Sequence, residues 1–201
     1  MLSVKKILLP IVFFSVFSIS AFSGEFKDNI SFELGIGAGF ASYGSSGTRD
    51  YISAVPDDHK IILNASALFL YPLEKRIFLT AGFDNVFDAR WGGGEHIFLW
   101  DYSIVAGFRV YPNLGGLCLD VQYALGRRTD FCDFEISMNG ETVSIDETEN
   151  TGWGNGFVLG LAYDFSYHTK FIAPELAFNW KHIPHGNSSD NYLNLSFRIK
   201  I

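Results

Sequence analysis

The chain has 201 residues, 48% of them hydrophobic, yet no run of about 18 apolar residues follows the first 25 positions, which excludes a bundle of transmembrane helices. Charged residues make up only 18%, aromatics reach 16% and glycines number 20, a profile foreign to disordered or coiled-coil chains and rich in strand and turn formers. A net charge of −7 argues against a nucleic-acid partner.

At the amino terminus, Lys5 and Lys6 precede an apolar stretch from Ile7 to Phe17, and the small-x-small triplet Ala21-Phe22-Ser23 follows. This is the layout of a secretory signal peptide over residues 1–23, with cleavage expected between Ser23 and Gly24. Losing two lysines and no acid leaves 13 basic residues against 22 acidic and moves the net charge to −9. Residues 24–201 are then one β domain.

Period-two alternation starts at Ile30, Phe32, Leu34, Ile36, Ala38 and Phe40, with Glu33 and three glycines between them, and predicts a strand over 29–43. The same signal predicts strands over 60–71, 77–87, 97–111, 117–128, 153–165, 171–182 and 192–201. Eight is an even number, so an antiparallel sheet closes on itself with both ends of the chain on one side. The connections alternate: 72–76, 112–116 and 166–170 are short and turn-like, whereas 44–59, 88–96, 129–152 and 182–191 are longer and polar. Within 129–152, two alternating runs flank Asn139-Gly140, the signal for a hairpin. Cys118 and Cys132, the only cysteines, fall about one strand length apart, too far for a disulfide.

One face of each strand is apolar, and the opposite face decides which one points outward. That face is built from Gly35, Gly37, Gly39, Gly82, Gly107, Gly156 and Gly160 with scattered charges, whereas a wetted exterior would be full of Lys, Glu and Thr. Small residues suit the inside of a narrow barrel. The apolar face carries aromatics near both strand ends: Trp100, Tyr102, Phe178 and Trp180 toward the long loops, and Tyr71, Phe108, Tyr163 and Phe165 toward the short turns. Two belts of this kind suit a lipid-facing band of about 25 Å. The expected fold is an all-β, eight-stranded, antiparallel up-and-down transmembrane barrel.

In this pattern the chain resembles the small eight-stranded outer-membrane barrel proteins of diderm bacteria. The resemblance implies an outer-membrane location, contact with lipid and lipopolysaccharide or their equivalent, and an assembly machinery that reads the last strand. Members typically end on an aromatic residue; here the strand alternates but closes on Ile201.

Inside the barrel the alternation collects Glu33, Asp84, Asp101, Asp120, Asp164 and Glu175 against Arg109, Lys181, Arg198 and Lys200. Charges of both signs in so narrow a bore point to mutual pairing and a largely plugged interior, hence to a protein of structural or interaction type. The alternatives are a narrow pore or transporter for small or apolar molecules, and a lipid-modifying hydrolase. The third rests on the segment from Phe178 to Ser188, which resembles outer-membrane lipid A 3-O-deacylases and their His-x-Ser-Asn run. Aligning His182 with that histidine puts Pro184 in the serine's place; aligning His185 puts Asn187 there. The nucleophile is missing either way, and an improvised set of His185, Ser188 or Ser189 and Asp190 is the remaining catalytic option. The His-x-x-His spacing of His182 and His185 lies on a strand end beside Pro184, so no metal is expected there, and no cofactor motif is present. The acidic residues of 129–152, Asp130 and Asp133 among them, read as a solvated loop.

Overall fold

Among the described residues, alternation of side chains between two faces builds nine strands. The computed structural model describes residues 30–55, 59–112, 115–138, 141–165 and 173–201, without the side chains of 135–138, 141–145 and 173. The expected signal peptide, the 166–170 turn and Asn139-Gly140 lie outside the described residues. In chain order the elements are β1 Ser31–Ser42, α1 Ser46–Ala54, β2 His59–Glu74, β3 Ile77–Gly92, β4 Glu95–Val110, β5 Leu117–Met138, β6 Glu141–Asn150, β7 Gly154–Asp164, β8 Ala173–His185 and β9 Ser188–Lys200.

Eight of the strands close a ring in the order β1, β2, β3, β4, β5, β7, β8, β9, with β9 antiparallel to β1. The closing ladder extends to the last residue: the Phe32 amide donates to the Ile201 carbonyl at 3.0 Å and the Ile201 amide to the Phe32 carbonyl at 2.7 Å. Closure leaves the wall without a free edge, the condition a sheet must meet where no water is available to satisfy its amides. The ninth strand, β6, stands outside the ring and pairs with the upper half of β5, from Thr129↔Asn150 to Met138↔Glu141. β5 therefore changes partner along its length, holding β7 from Leu117 to Gly126 and β6 from Thr129 onward.

At the end away from the chain termini the strands run beyond the expected bounds. The polar segments 88–96 and 182–191 are hairpins, with β3 reaching Gly92, β4 starting at Glu95, β8 reaching His185 and β9 starting at Ser188. Their turns use residues at positive φ, Gly93 (59°), Gly94 (94°) and Gly186 (65°), where a side chain would be strained. The apolar alternation ends where one face stops meeting an apolar medium, but the backbone ladder does not need that alternation to continue. In 44–59 a helix replaces the expected loop: Ser45 caps α1 by accepting the Thr48 amide at 3.4 Å, and Tyr51, Ile52 and Val55 pack on the barrel mouth against Val86, Ile97, Leu99, Cys132 and Phe134.

The two faces of the wall separate cleanly. Ile36, Ile104, Val121 and Leu195 are 64%, 51%, 56% and 55% exposed, while their chain neighbours Ser103, Asp120, Gln122, Asn194 and Ser196 are all buried. The half-apolar inner face of β2 is explained by Leu68 and Leu70, which fill the bore with Val105, Ala124, Val158 and Ile183. Inward glycines make room for longer side chains: a Cβ on Gly35 would fall 2.9 Å from the Arg198 Cγ, and one on Gly160 would fall 2.6 Å from the Asn179 Oδ1. Both cysteines are free, buried and on β5.

Candidate functional site

Neighbouring strands present their inward residues at matched heights, so the antiparallel register decides which charges meet. Arg109 faces Asp120 across β4 and β5, Glu175 faces Arg198 across β8 and β9, and Glu33 lies beside Lys200 across β1 and β9. The result is a five-membered cluster toward the turn end. The Arg109 Nε donates to Asp120 at 2.6 Å, its Nη1 to Glu33 at 2.6 Å and to Glu175 at 3.0 Å. Arg198 Nη1 donates to Asp120 at 2.8 Å and to Glu175 at 2.9 Å, and its Nη2 to the Asn179 Oδ1 at 2.9 Å. Below this cluster Lys200 donates to Asp164 at 2.8 Å and Tyr111 donates to the same carboxylate at 3.1 Å.

Midway along the bore, Lys181 lies 3.0 Å from Asp84 and 2.6 Å from Asp101, and Asn64 donates to Asp84 at 3.1 Å. All ten interior charges expected from the sequence thus lie on the inner face, and every one of them is in an ion pair with another. A guanidinium or ammonium so enclosed is held by at least one carboxylate, the arrangement that makes a buried charge tolerable.

A third network at the mouth was not anticipated. Arg128 is buried and donates from its Nε to Asp130 at 2.6 Å, from its Nη2 to the Thr48 hydroxyl of α1 at 2.7 Å, and from its Nη1 to Asp190. Asp130 is buried against Arg128 rather than solvated in a loop. Tyr43 donates to Asp88 at 2.9 Å, and Arg90 pairs with the same carboxylate at 3.0 Å. The sequence signal was present in Asp88-x-Arg90 and Arg128-x-Asp130, opposite charges two apart and so on one face of a strand. Beside this network a polar pocket of about 270 Å³ opens where β6 leaves the wall, lined by Ser45, Glu149, Asn150, Gly152, Gly186 and Ser188 among others. Outside it, the carboxylates of Glu149 and Glu147 hold the partly buried Tyr51 phenol above its ordinary value.

The histidines and serine of the deacylase-like segment do not converge. His182 is on the outer face, stacked on Phe157 with centroids 5.3 Å apart and bonded to the Asn191 Oδ1 at 2.9 Å. His185 points inward, its Nδ1 donating to the Gly152 carbonyl at 3.2 Å and its Nε2 lying 3.5 Å from Asp190 and 3.6 Å from Asp101. Ser188 directs its hydroxyl to the His185 carbonyl at 3.2 Å, not to an imidazole. Among the described residues no group of three or more His, Cys, Asp or Glu side chains is arranged to hold a metal ion.

On the outer wall the aromatics gather near both ends. Trp100 and Tyr102 lie 5.1 Å apart, Phe157 and Trp180 5.1 Å, and Tyr163 and Phe165 4.9 Å. Phe178, Tyr71 and Phe108 are exposed on the same face. The Trp100 and Trp180 indoles donate to Asn85 and Asn191 at 3.2 Å each, so an apolar ring carries a satisfied polar edge.

No protein-family model matches the chain, and no curated protein matches it. Among solved structures it is similar to Ail, the attachment invasion locus protein of Yersinia pestis, with a TM-score of 0.54 and 11% identity over 86% of this chain and 99% of that one. A second structure of Ail, in complex with the heparin analogue sucrose octasulfate, gives 0.52 and 11% over 86% and 98%. Neisserial surface protein A is more distant at 0.43 and 12%, over 86% and 96%. At such identities the likeness concerns architecture alone, and on it the chain has the closed antiparallel fold of the small eight-stranded outer-membrane β-barrels.

Proposed function

We propose that the chain is exported, cleaved near Ser23-Gly24, and inserted in an outer membrane with the turn end in the periplasm and α1 and the β5–β6 ribbon outside. There it serves as a structural or interaction protein, not as a channel or an enzyme. The observation that carries this reading is the pairing of a closed wall whose exposed residues are Ile, Leu, Phe and Val with a bore whose charged side chains are bound to one another. Exposed apolar residues encircling a whole wall are unfavourable in water and favourable among acyl chains. A bore crossed by the Arg109, Arg198, Glu33, Asp120 and Glu175 cluster, with Leu68, Leu70 and Ile183 filling more of it, offers a passing ion none of these five charges unpaired. α1 adds a lid packed on the mouth.

Partners in this reading are outer-membrane lipid, with lipopolysaccharide or its equivalent, and the machinery that assembles barrels from their last strand. A polyanion of the kind seen on Ail is a poor match for this rim, because Asp146, Glu147 and Glu149 stand exposed on β6. Two measurements test the proposal. Purified protein in planar bilayers should stay electrically silent, and the cellular protein should fractionate with outer membranes and shift in gel mobility on boiling. Discrete conductance steps would replace the plugged reading with that of a pore, and detergent-independent recovery from the periplasm would end the membrane reading.

A further inference from the structure

Among the described residues, the outward face of the barrel wall between its two rims carries a single fixed charge. Between the rims, where Glu74 faces Ile77 at the turn end and the Lys60 ammonium reaches over the Phe40 ring at the mouth, the outward positions of the described strands up to Asp133 are apolar, aromatic, histidine or uncharged polar, with Arg127 of β5 the one exception. It stands at the height of the loop-side aromatics. On the β4 side its register partner is Tyr102, and on the β7 side Gly126↔Gly154 places it next to Trp153. The Tyr102 and Trp153 rings meet at 5.7 Å, edge to face. Toward mid-wall lie Ile104, Leu125 and Tyr123, the Tyr123 hydroxyl donating to Asn155. The Arg127 Nε is buried with no hydrogen-bond partner, and no ion pair joins this guanidinium to any described residue.

Every other buried or half-buried arginine described in the bore and at its mouth is held by a carboxylate. Arg127 is the contrast, a cation among aromatic rings on an apolar wall with its counter-charge missing. The planar fork of an arginine matches a phosphate bidentately, and such bonds strengthen where water is scarce. We infer that Arg127, framed by Tyr102 and Trp153, binds the phosphate of an outer-leaflet lipid headgroup, with the acyl chains lying along Ile104, Leu125 and Tyr123. The inference rests on the membrane reading proposed above. The acyl-facing residues directly beneath the guanidinium favour a lipid over a soluble anion as the source of that phosphate.

The test uses the refolded barrel in detergent micelles doped with phosphatidylglycerol or phosphatidylcholine, and native mass spectrometry to count retained lipid. Wild-type protein should retain one phosphatidylglycerol with roughly a fivefold preference over phosphatidylcholine, the upper end of what an exposed ion pair supplies. Arg127→Gln should abolish the preference, Arg127→Lys, which keeps the charge without the bidentate fork, should keep only part of it, and Arg49→Gln in α1, bonded to the Tyr43 and Gly44 carbonyls, should leave it unchanged. Heat-modifiable mobility and insertion into vesicles check that each variant folds. An undiminished preference in folded Arg127→Gln, or one erased by millimolar inorganic phosphate alone, would overturn the inference while leaving the membrane reading intact. Failure of the wild type to insert into vesicles would overturn both.

Discussion

Replacing Arg109 by methionine tests whether the interior is held by its charges. Arg109 is fully buried and makes five hydrogen bonds, two to Glu33, two to Asp120 and one to Glu175. Methionine keeps most of the volume, so little cavity opens, but three carboxylates are left with Arg198 as their only guanidinium. The formal charge of the five-residue cluster goes from −1 to −2 in a site closed to water. Removing one partner of a buried ion pair costs about 3–5 kcal/mol, which lowers the folding equilibrium constant by roughly 100- to 4,000-fold. Glu175→Gln is the informative comparison. It brings the cluster to neutrality and keeps an amide oxygen able to accept from both arginines, so its cost should stay near or below about 1 kcal/mol. Urea titration of protein folded in lipid vesicles, read by the mobility difference between folded and boiled forms, measures both. Equal destabilisation by the two substitutions, or less than about 1 kcal/mol for Arg109→Met, would refute the idea that charge balance inside the bore sustains the fold.

Ile104→Arg, on the outer face near mid-wall, should cost about 2–4 kcal/mol or block insertion, whereas Ser103→Ala, buried one residue away, should be mild by the same vesicle titration. Ser45→Ala removes the cap of α1 and should weaken that helix by about 1 kcal/mol, seen as faster amide exchange confined to residues 46–54 with the strands unchanged. The Tyr51 phenol should titrate above its ordinary value in the wild type, because its anion would face Glu149 and Glu147, and should move down when both are changed to glutamine; carbon-13 tyrosine NMR reads the shift.

Most of the barrel wall was legible because one physical demand repeats through it. A two-sided wall needs opposite residue types on alternate positions, and from Ile30 to Ile201 that demand writes itself as period two. The interior charges were legible for the same reason, since Arg109, Asp120 and Glu175 interrupt the small-residue phase. What period two does not carry is anything above the apolar band. There the β3–β4 and β8–β9 hairpins continue on backbone hydrogen bonds with polar and apolar residues mixed on both faces, and their ends are set by Gly93, Gly94 and Gly186 instead. α1 escaped because its nine residues bury only Thr48 and parts of Tyr51 and Ile52, with Val55 just past its end, an apolar stripe too short to stand out from a loop. Asp130 reads as solvated because the segment holding it is acidic on average, yet burial is decided residue by residue through the inward phase of β5, which turns Asp130 toward Arg128. The outward Arg127 needed register to be noticed, since only pairing with Tyr102 shows that it stands on the wall.

The most direct check compares two adjacent residues of β9. Leu195 is 55% exposed on the outer face, and Ser196 is buried in the bore. Nitroxide labels attached to a cysteine at each position, in a background without Cys118 and Cys132, report their surroundings by collision with oxygen, which concentrates among acyl chains, and with a water-soluble nickel chelate. In lipid vesicles the label at 195 should relax strongly with oxygen and hardly with nickel, and the label at 196 weakly with both. Strong nickel relaxation at 195, or oxygen contact greater at 196, would mean that the greasy side of the wall does not touch lipid.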